Sequence, residues 1–86
     1  MNETFERVKT LMVGEFQLDP GAITPATPLT ELGVDSLAAL EFVFVLEDAF
    51  RITIDPTTDL RGGLVRDIVN AVDRAQAQQN TALAAA

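Results

Sequence analysis

Apolar residues recur at intervals of three and four along three segments of this chain, and this spacing constrains the fold more than any other sequence feature. It places apolar side chains on one side of a helix, where they must be buried against a neighbour. We expect helices from about Thr4 to Phe16, from Asp35 or Ser36 through Phe50, and from about Leu64 to Ala77. The sequence therefore predicts an all-α bundle.

The same spacing identifies the side chains expected in the core. They are Phe5, Val8, Leu11, Met12 and Phe16 in the first helix; Ala39, Phe42, Val43, Leu46 and Phe50 in the second; and Leu64, Ile68, Ala71, Val72 and Ala75 in the last. Such a core holds the fold without disulfides, because the chain contains no cysteine.

A long connection, residues 17–34, separates the first two helices. It contains three prolines, and a connection of this length without regular structure is usually functional or disordered. Its apolar residues Ile23, Leu29 and Leu32 favour an ordered loop held across the helical core.

The connection to the last helix predicts a short additional helix. Ile52-Thr53-Ile54 alternates like a strand but has no partner, so we interpret it as an extended connector. Asp55-Pro56 is an N-cap followed by proline, which predicts a helix over about Pro56 to Leu60, ended by Gly62-Gly63. The last helix is poorly capped, since Gly63 is the only plausible N-cap. The expected fold is a four-helix bundle, with three longer helices and one short.

The chain is long enough for a single domain. Its 86 residues support one modest core. We assign that domain to residues 1–77 and expect a disordered tail over residues 78–86, which are polar and then alanine-rich.

The charge of the chain excludes several classes of function. Thirteen acidic residues against 6 basic ones give a formal net charge of -7, which would repel nucleic acid and anionic membranes. No apolar run approaches the length of a membrane span, and an acid stands at Glu3 where a signal peptide would be basic. We expect a soluble, cytoplasmic monomer without membrane insertion.

The residue types that are missing argue against catalysis. Without histidine or cysteine the chain cannot build a Ser-His or Cys-His nucleophile pair or a His-ligated metal site. A metal-binding loop over Asp55 to Asp59 would have too few oxygen ligands. We expect neither an enzyme nor a metal site.

Ser36 is the only serine of the chain, and it lies where the long loop becomes the second helix. The positive end of the helix dipole and the exposed amides favour a phosphate ester at such a position. The preceding loop, which ends Leu32-Gly33-Val34-Asp35, leaves room for a modifying enzyme. Without further context, Ser36 would be interpreted as an N-cap.

The surrounding sequence resembles the acyl carrier protein family around its phosphopantetheine attachment site. The resemblance covers about Phe5 to Ala75. It is carried by the run Leu32-Gly33-Val34-Asp35-Ser36-Leu37, by Glu41, Leu46, Glu47, Phe50, Ile52 and Ile54 after it, and by Ile23-Thr24-Pro25 and Leu29 before it.

This resemblance implies a four-helix bundle that carries 4'-phosphopantetheine on Ser36, with Asp35 and Leu37 beside it. A phosphopantetheinyl transferase would attach the group from coenzyme A with magnesium. Acyl intermediates would then be carried as thioesters, and acyltransferases, ligases and synthases would catalyse the reactions.

The second helix has one charged side. Residues advance by about 100° along a helix, which places the charged residues after Ser36 within roughly 120° of arc. That arc holds Leu37, Leu40, Glu41, Phe44, Glu47, Asp48 and Arg51. We predict that it faces solvent and docks partner enzymes with basic patches, the acids attracting them and the apolar residues supplying desolvated contacts.

Several positions depart from the family pattern. Ala38 and Ala39 stand where fatty-acid carriers often have acidic or polar residues, and Arg51 stands where many relatives have glycine. These departures favour a polyketide or other specialised pathway. Phe42, expected in the core, would narrow a cavity for an acyl chain, which favours a short, polar or unsheltered cargo.

Two alternative functions remain open from the sequence. A peptidyl or aminoacyl carrier would share the serine and the fold, although Val34-Asp35 and the negative charge favour an acyl carrier. A non-catalytic helical interaction module, in which Ser36 is merely a cap, is the alternative from a different class.

Overall fold

A computed structural model describes residues 3–54 and 63–85 of the chain, with side chains described as far as residue 79. Three α-helices form within these ranges: α1 (Glu3–Phe16), α2 (Ser36–Phe50) and α3 (Val65–Ala85). The loop between α1 and α2 contains short 3-10 turns at Pro20–Ala22 and Leu29–Leu32. The all-helical fold predicted from the spacing is confirmed.

The helices pack by the faces that the sequence predicts. In α1, Phe5, Val8 and Met12 are buried. Ala39, Phe42, Leu46 and Phe50 are buried in α2, and Ile68, Val72 and Ala75 are buried in α3. This agreement is expected, because an amphipathic helix removes its apolar side from water by packing that side against the core.

The predicted ordered loop is also confirmed. Ile23 and Leu29 are 3% and 0% exposed, and Leu32 packs against the core from a half-buried position. Within the described ranges no strand forms, and the loop makes only an isolated antiparallel bridge between Pro28 and Leu64. The segment from Ile52 to Ile54 is an extended connector, as expected, with both isoleucines buried.

The start of α3 is capped by a residue that the sequence analysis did not consider. One carboxylate oxygen of Asp67 accepts a hydrogen bond from the Leu64 N–H at 2.7 Å. This is half of a capping box, in which an acid in the first turn reaches back to the residue before the helix. Leu64, which the sequence placed in the core, lies just before the helix and is only half buried. A Cβ on Gly63 would lie 2.6 Å from the Asp67 carboxylate, so a larger residue there would force the Asp67 side chain to shift.

The end of α3 differs from the sequence expectation. The helix predicted to stop at Ala77 continues to Ala85, through the segment expected to be a disordered tail. Alanine, glutamine and leucine have high intrinsic helix propensity, and neither glycine nor proline interrupts this stretch. Terminal position and polarity were therefore poor indicators of where the helix ends.

The predicted fourth helix, over Pro56 to Leu60, lies outside the described residues. The same holds for the weakly supported metal-binding loop over Asp55 to Asp59 and for the predicted stop at Gly62. Among residues that are described, no group of acidic side chains is placed to hold a metal ion.

Candidate functional site at the start of helix α2

The start of α2 is set by Asp35. Its backbone is extended, with φ -84° and ψ -175°. Its side chain accepts a hydrogen bond from the Ala38 N–H at 2.8 Å. An acidic side chain in this position satisfies a free amide and complements the positive end of the helix. The sequence left the cap open between Asp35 and Ser36, and the structure assigns it to Asp35.

Ser36 is therefore the first helical residue and not the cap. Its side chain is exposed. Within the part of the chain that the structure describes, its hydroxyl has no hydrogen-bond partner. The interpretation of Ser36 as merely an N-cap loses its support, because the neighbouring carboxylate already performs that function.

The backbone at this helix end suits a phosphate ester. The first amides of a helix have no partner inside the helix. Asp35 satisfies the amide of Ala38, while those of Ser36 and Leu37 bond to no other described residue. Two amides without partners and the positive end of the helix dipole thus occur at the same helix end as an exposed hydroxyl, and a helix end of this kind stabilises phosphate groups. The residues present fit a phosphopantetheine group attached at Ser36.

The loop before Ser36 is firmly placed. The Val34 N–H donates to the Leu29 carbonyl at 3.1 Å, and both side chains are almost completely buried. Gly33 has a positive φ of 76° and donates to the Thr30 carbonyl at 3.2 Å, which closes the turn. Glycine suits this left-handed conformation because it has no Cβ. Ser36 is exposed, but its position relative to the core is fixed.

Helix α2 presents a large apolar surface to solvent beside Ser36. Leu37, Leu40 and Phe44 are 64%, 54% and 61% exposed. Glu41 and Asp48 on the same side are also exposed. The solvent-facing arc predicted from the helical angles is therefore confirmed for these five residues.

One residue of the predicted arc, Glu47, departs from it, whereas Arg51 is exposed as predicted. Glu47 is half buried, and its carboxylate accepts a hydrogen bond from the Ile54 N–H at 2.8 Å. It therefore holds the connector after α2 in addition to any role at the surface. Arg51 lies just beyond the helix in a left-handed conformation, with φ 58° and ψ 50°.

Thr27 is a buried polar residue in the loop that leads to Ser36, and it was not among the residues predicted from the sequence. Its hydroxyl bonds to the Thr24 N–H at 2.9 Å, to the Thr24 hydroxyl at 2.8 Å and to the Ala22 carbonyl at 3.3 Å. The spacing of Thr24 and Thr27 was the available signal, since threonine hydroxyls three residues apart often organise a turn.

The described helices do not include one that is long and apolar enough to cross a membrane. This finding agrees with the absence of an apolar run in the sequence.

Comparison with known proteins bears directly on this site. Residues 6–72 match a protein-family model described as a phosphopantetheine attachment site. The chain is 41% identical over 70 residues to an acyl carrier protein of Phytoplasma australiense, covering 80% of this chain and 92% of that protein. It is 32% identical over 78 residues to an acyl carrier protein of Zymomonas mobilis, covering 90% and 100%. An acyl carrier protein of Phaeodactylum tricornutum is 28% identical over 75 residues.

Proposed function

The chain belongs to the family of carrier proteins that contain a phosphopantetheine attachment site, the acyl carrier proteins among them, and from this premise we propose that Ser36 is the attachment residue. A protein of this family is a carrier and not a catalyst, and its 4'-phosphopantetheine group is covalently bound. When bound, that group supplies a thiol on which acyl groups are held as thioesters.

The observation that carries the proposal is the free hydroxyl of Ser36. The chain has no second serine, and the side chain is exposed at the first position of α2. Asp35 takes over the capping of the helix, so the Ser36 oxygen is available for esterification. Leu37, the next residue, exposes an apolar side chain that a transferase can contact.

A mass measurement tests the attachment site. Incubation with coenzyme A, magnesium and a promiscuous phosphopantetheinyl transferase should add one phosphopantetheine to the chain, and Ser36→Ala should abolish the addition. Thr30→Ala is the matched control, because Thr30 carries an exposed hydroxyl in the loop that precedes Ser36. This substitution should leave the gain in mass unchanged.

Two outcomes would contradict the proposal. The chain could fail to gain mass under conditions that modify a control carrier protein. Alternatively, Ser36→Ala could still be modified, which would place the attachment at one of the threonines.

The exposed side of α2 is proposed as the docking surface for partner enzymes. We define this surface by Leu37, Leu40, Glu41, Phe44 and Asp48, and its exposure supports the proposal. Its apolar side chains would be desolvated on binding, while its acids would attract basic patches. The surface begins at the residue next to Ser36, so a docked enzyme would hold its active site beside the carried group. Glu47 belongs at the edge, because its carboxylate already bonds to Ile54.

The core beneath that surface supports a proposal about the cargo. The Phe42 side chain is 1% exposed, and its ring packs on that of Phe16 with centroids 5.3 Å apart. Met12 and Leu46 are completely buried. Because these side chains occupy the space between α1 and α2, we infer a short or polar cargo that stays outside this part of the bundle. Such a cargo is typical of polyketide or other specialised pathways.

A peptidyl or aminoacyl carrier is the second candidate within the family. The relatives are named acyl carrier proteins, which favours an acyl cargo. Under this proposal the protein acts as a monomer in the cytoplasm. It binds in turn the phosphopantetheinyl transferase, the acyltransferases or ligases, and the synthases.

A further inference from the structure

Thr27 differs from every other buried residue that the structure describes, because it is polar. A hydroxyl can accept two hydrogen bonds and donate one. The Thr24 amide and the Thr24 hydroxyl can donate to Thr27, and Thr27 can donate to the Ala22 carbonyl. The hydrogen-bonding capacity of this hydroxyl is thus fully used. Buried polar groups that are satisfied in this way fix one conformation of the surrounding backbone.

The backbone that Thr27 organises is joined to the start of α3. The Thr27 carbonyl accepts a hydrogen bond from the Val65 N–H at 2.9 Å, and the Pro25 carbonyl accepts one from the Arg66 N–H at 2.9 Å. These two amides belong to the first turn of α3, where a helix cannot satisfy them itself. The loop therefore completes α3, and α3 in turn holds the loop.

Hydrogen bonds also hold the rest of this loop, between Thr27 and Ser36. The Leu29 N–H donates to the Gly63 carbonyl at 3.0 Å, and the Leu29 carbonyl accepts from Val34 at 3.1 Å. Val34 is 2% exposed, and Asp35 then caps α2. Each step from Thr27 to Ser36 is thus buried or hydrogen-bonded, so the position of the serine depends on the loop.

We propose that Thr27 is a positioning residue for the modification of Ser36: its hydroxyl holds the loop on the first turn of α3 and so keeps the start of α2 in the geometry that a modifying enzyme binds. The proposal rests on the function proposed for Ser36. Thr27 does not touch the attached group and acts only through the backbone between residues 27 and 36.

Thr27→Val tests this role, since it replaces the hydroxyl by a methyl group of similar size. Hydrogen exchange of the unmodified protein should show faster exchange at the Gly33 and Val34 amides, by about tenfold for the loss of a buried hydroxyl network. The amides of Val8 and Met12 in α1 should change less. Thr27→Ser keeps the hydroxyl and should restore protection.

Modification kinetics provide the second measurement. If the loop samples other conformations, only a fraction of molecules is competent to bind the transferase, and the apparent affinity falls by that fraction. Thr27→Val should therefore raise KM for the carrier severalfold while kcat changes little. Thr10→Val is the matched control, because the Thr10 hydroxyl lies on the exposed side of α1 and, among the described residues, bonds only to the Glu6 carbonyl.

Equal acceleration of exchange in α1 and in the loop would overturn the proposal, since it would show a purely global effect on stability. Unchanged exchange at Gly33 and Val34 would also overturn it. If the unaltered chain is not modified at all, the function proposed for Ser36 fails, and the exchange measurement still decides the role of Thr27 in the loop.

Discussion

At the scale of single residues, Arg51 stands where many relatives have glycine, and its backbone conformation shows why glycine suits this position. The residue follows α2 with φ 58° and ψ 50°, and its N–H donates to the Glu47 carbonyl. A left-handed residue at this position is a common way to end a helix, and glycine is preferred there because a Cβ is strained in that conformation. The chain thus has an arginine where the backbone favours glycine.

Replacing this arginine should stabilise the protein. We expect Arg51→Gly to raise the free energy of unfolding by about 1 kcal/mol, because relief of the left-handed strain outweighs the added freedom of the unfolded chain. Urea unfolding followed by circular dichroism measures the change. Arg74→Gly is the control: Arg74 is exposed within α3, where glycine should lower the stability by about 1 kcal/mol. A loss of stability in both variants would contradict this explanation.

At the scale of a single element, helix α2 has apolar residues on two opposite sides. One side contributes Phe42, Leu46 and Phe50 to the core, and the other exposes Leu40 and Phe44 to solvent. Apolar side chains that lie together on an exposed surface often mark a site where a partner binds. The exposed side begins next to Ser36, the proposed attachment residue, which makes partner binding the consistent interpretation.

Substitutions on this docking surface should weaken binding without unfolding the protein. We expect Leu40→Ser and Glu41→Arg each to raise the KM of a phosphopantetheinyl transferase for the carrier by about tenfold, because they remove a desolvated contact and reverse an attracting charge. Stability should change by less than about 0.5 kcal/mol, as is usual at exposed sites. Steady-state kinetics and thermal unfolding measure the two quantities.

Glu3→Arg provides the matched control for charge, because Glu3 is exposed at the start of α1. This end of α1 lies beside the end of α2 that is distant from Ser36, since Arg7 donates to the Ala49 carbonyl. Glu3→Arg should leave KM nearly unchanged. An equal effect of Glu3→Arg and Glu41→Arg would mean that the total negative charge matters and that the surface of α2 has no special role.

At the scale of the whole molecule, the described core is filled by side chains from all three helices and the loop. Phe16 of α1 meets Phe42 of α2, while Ile68 and Val72 of α3 are 1% and 0% exposed. Protein interiors are closely packed, so they admit additional atoms only if the side chains rearrange. A long acyl chain would therefore have to displace part of the core.

Loading tests this consequence. With an octanoyl arm on Ser36, the amide chemical shifts of Phe42, Leu46 and Ile68 should change little, since the acyl chain stays outside the space between α1 and α2. In Phe42→Leu, which removes the ring but keeps an apolar side chain, the same loading should shift these amides. Large shifts in the unaltered protein would contradict the proposed short or polar cargo.

Much of the fold was predictable because it depends on local order along the chain. Helical periodicity identified α1 and α2, the buried side of each and the exposed positions of Leu40 and Phe44. The single serine, within a sequence that resembles a known attachment site, identified Ser36. These features require only neighbouring residues, because a helix relates positions three and four apart without reference to the rest of the molecule.

Other features depended on which of several possible local hydrogen bonds the folded chain forms. The sequence allowed either Asp35 or Ser36 to cap α2, and it offered no cap for α3 beyond Gly63. Only the folded chain shows Asp35 bonded to Ala38 and Asp67 bonded to Leu64. The capping of α2 by Asp35 is what leaves the Ser36 hydroxyl free.

The sequence by itself determined the helical class, the faces of the helices and the candidate serine, since all three follow from residue type and local spacing. The tertiary structure alone decided that the loop before Ser36 is bonded to the first turn of α3 through the Thr27 and Pro25 carbonyls. Backbone carbonyls are common to every residue, so no pattern of side chains reveals which of them will meet the free amides of a distant helix.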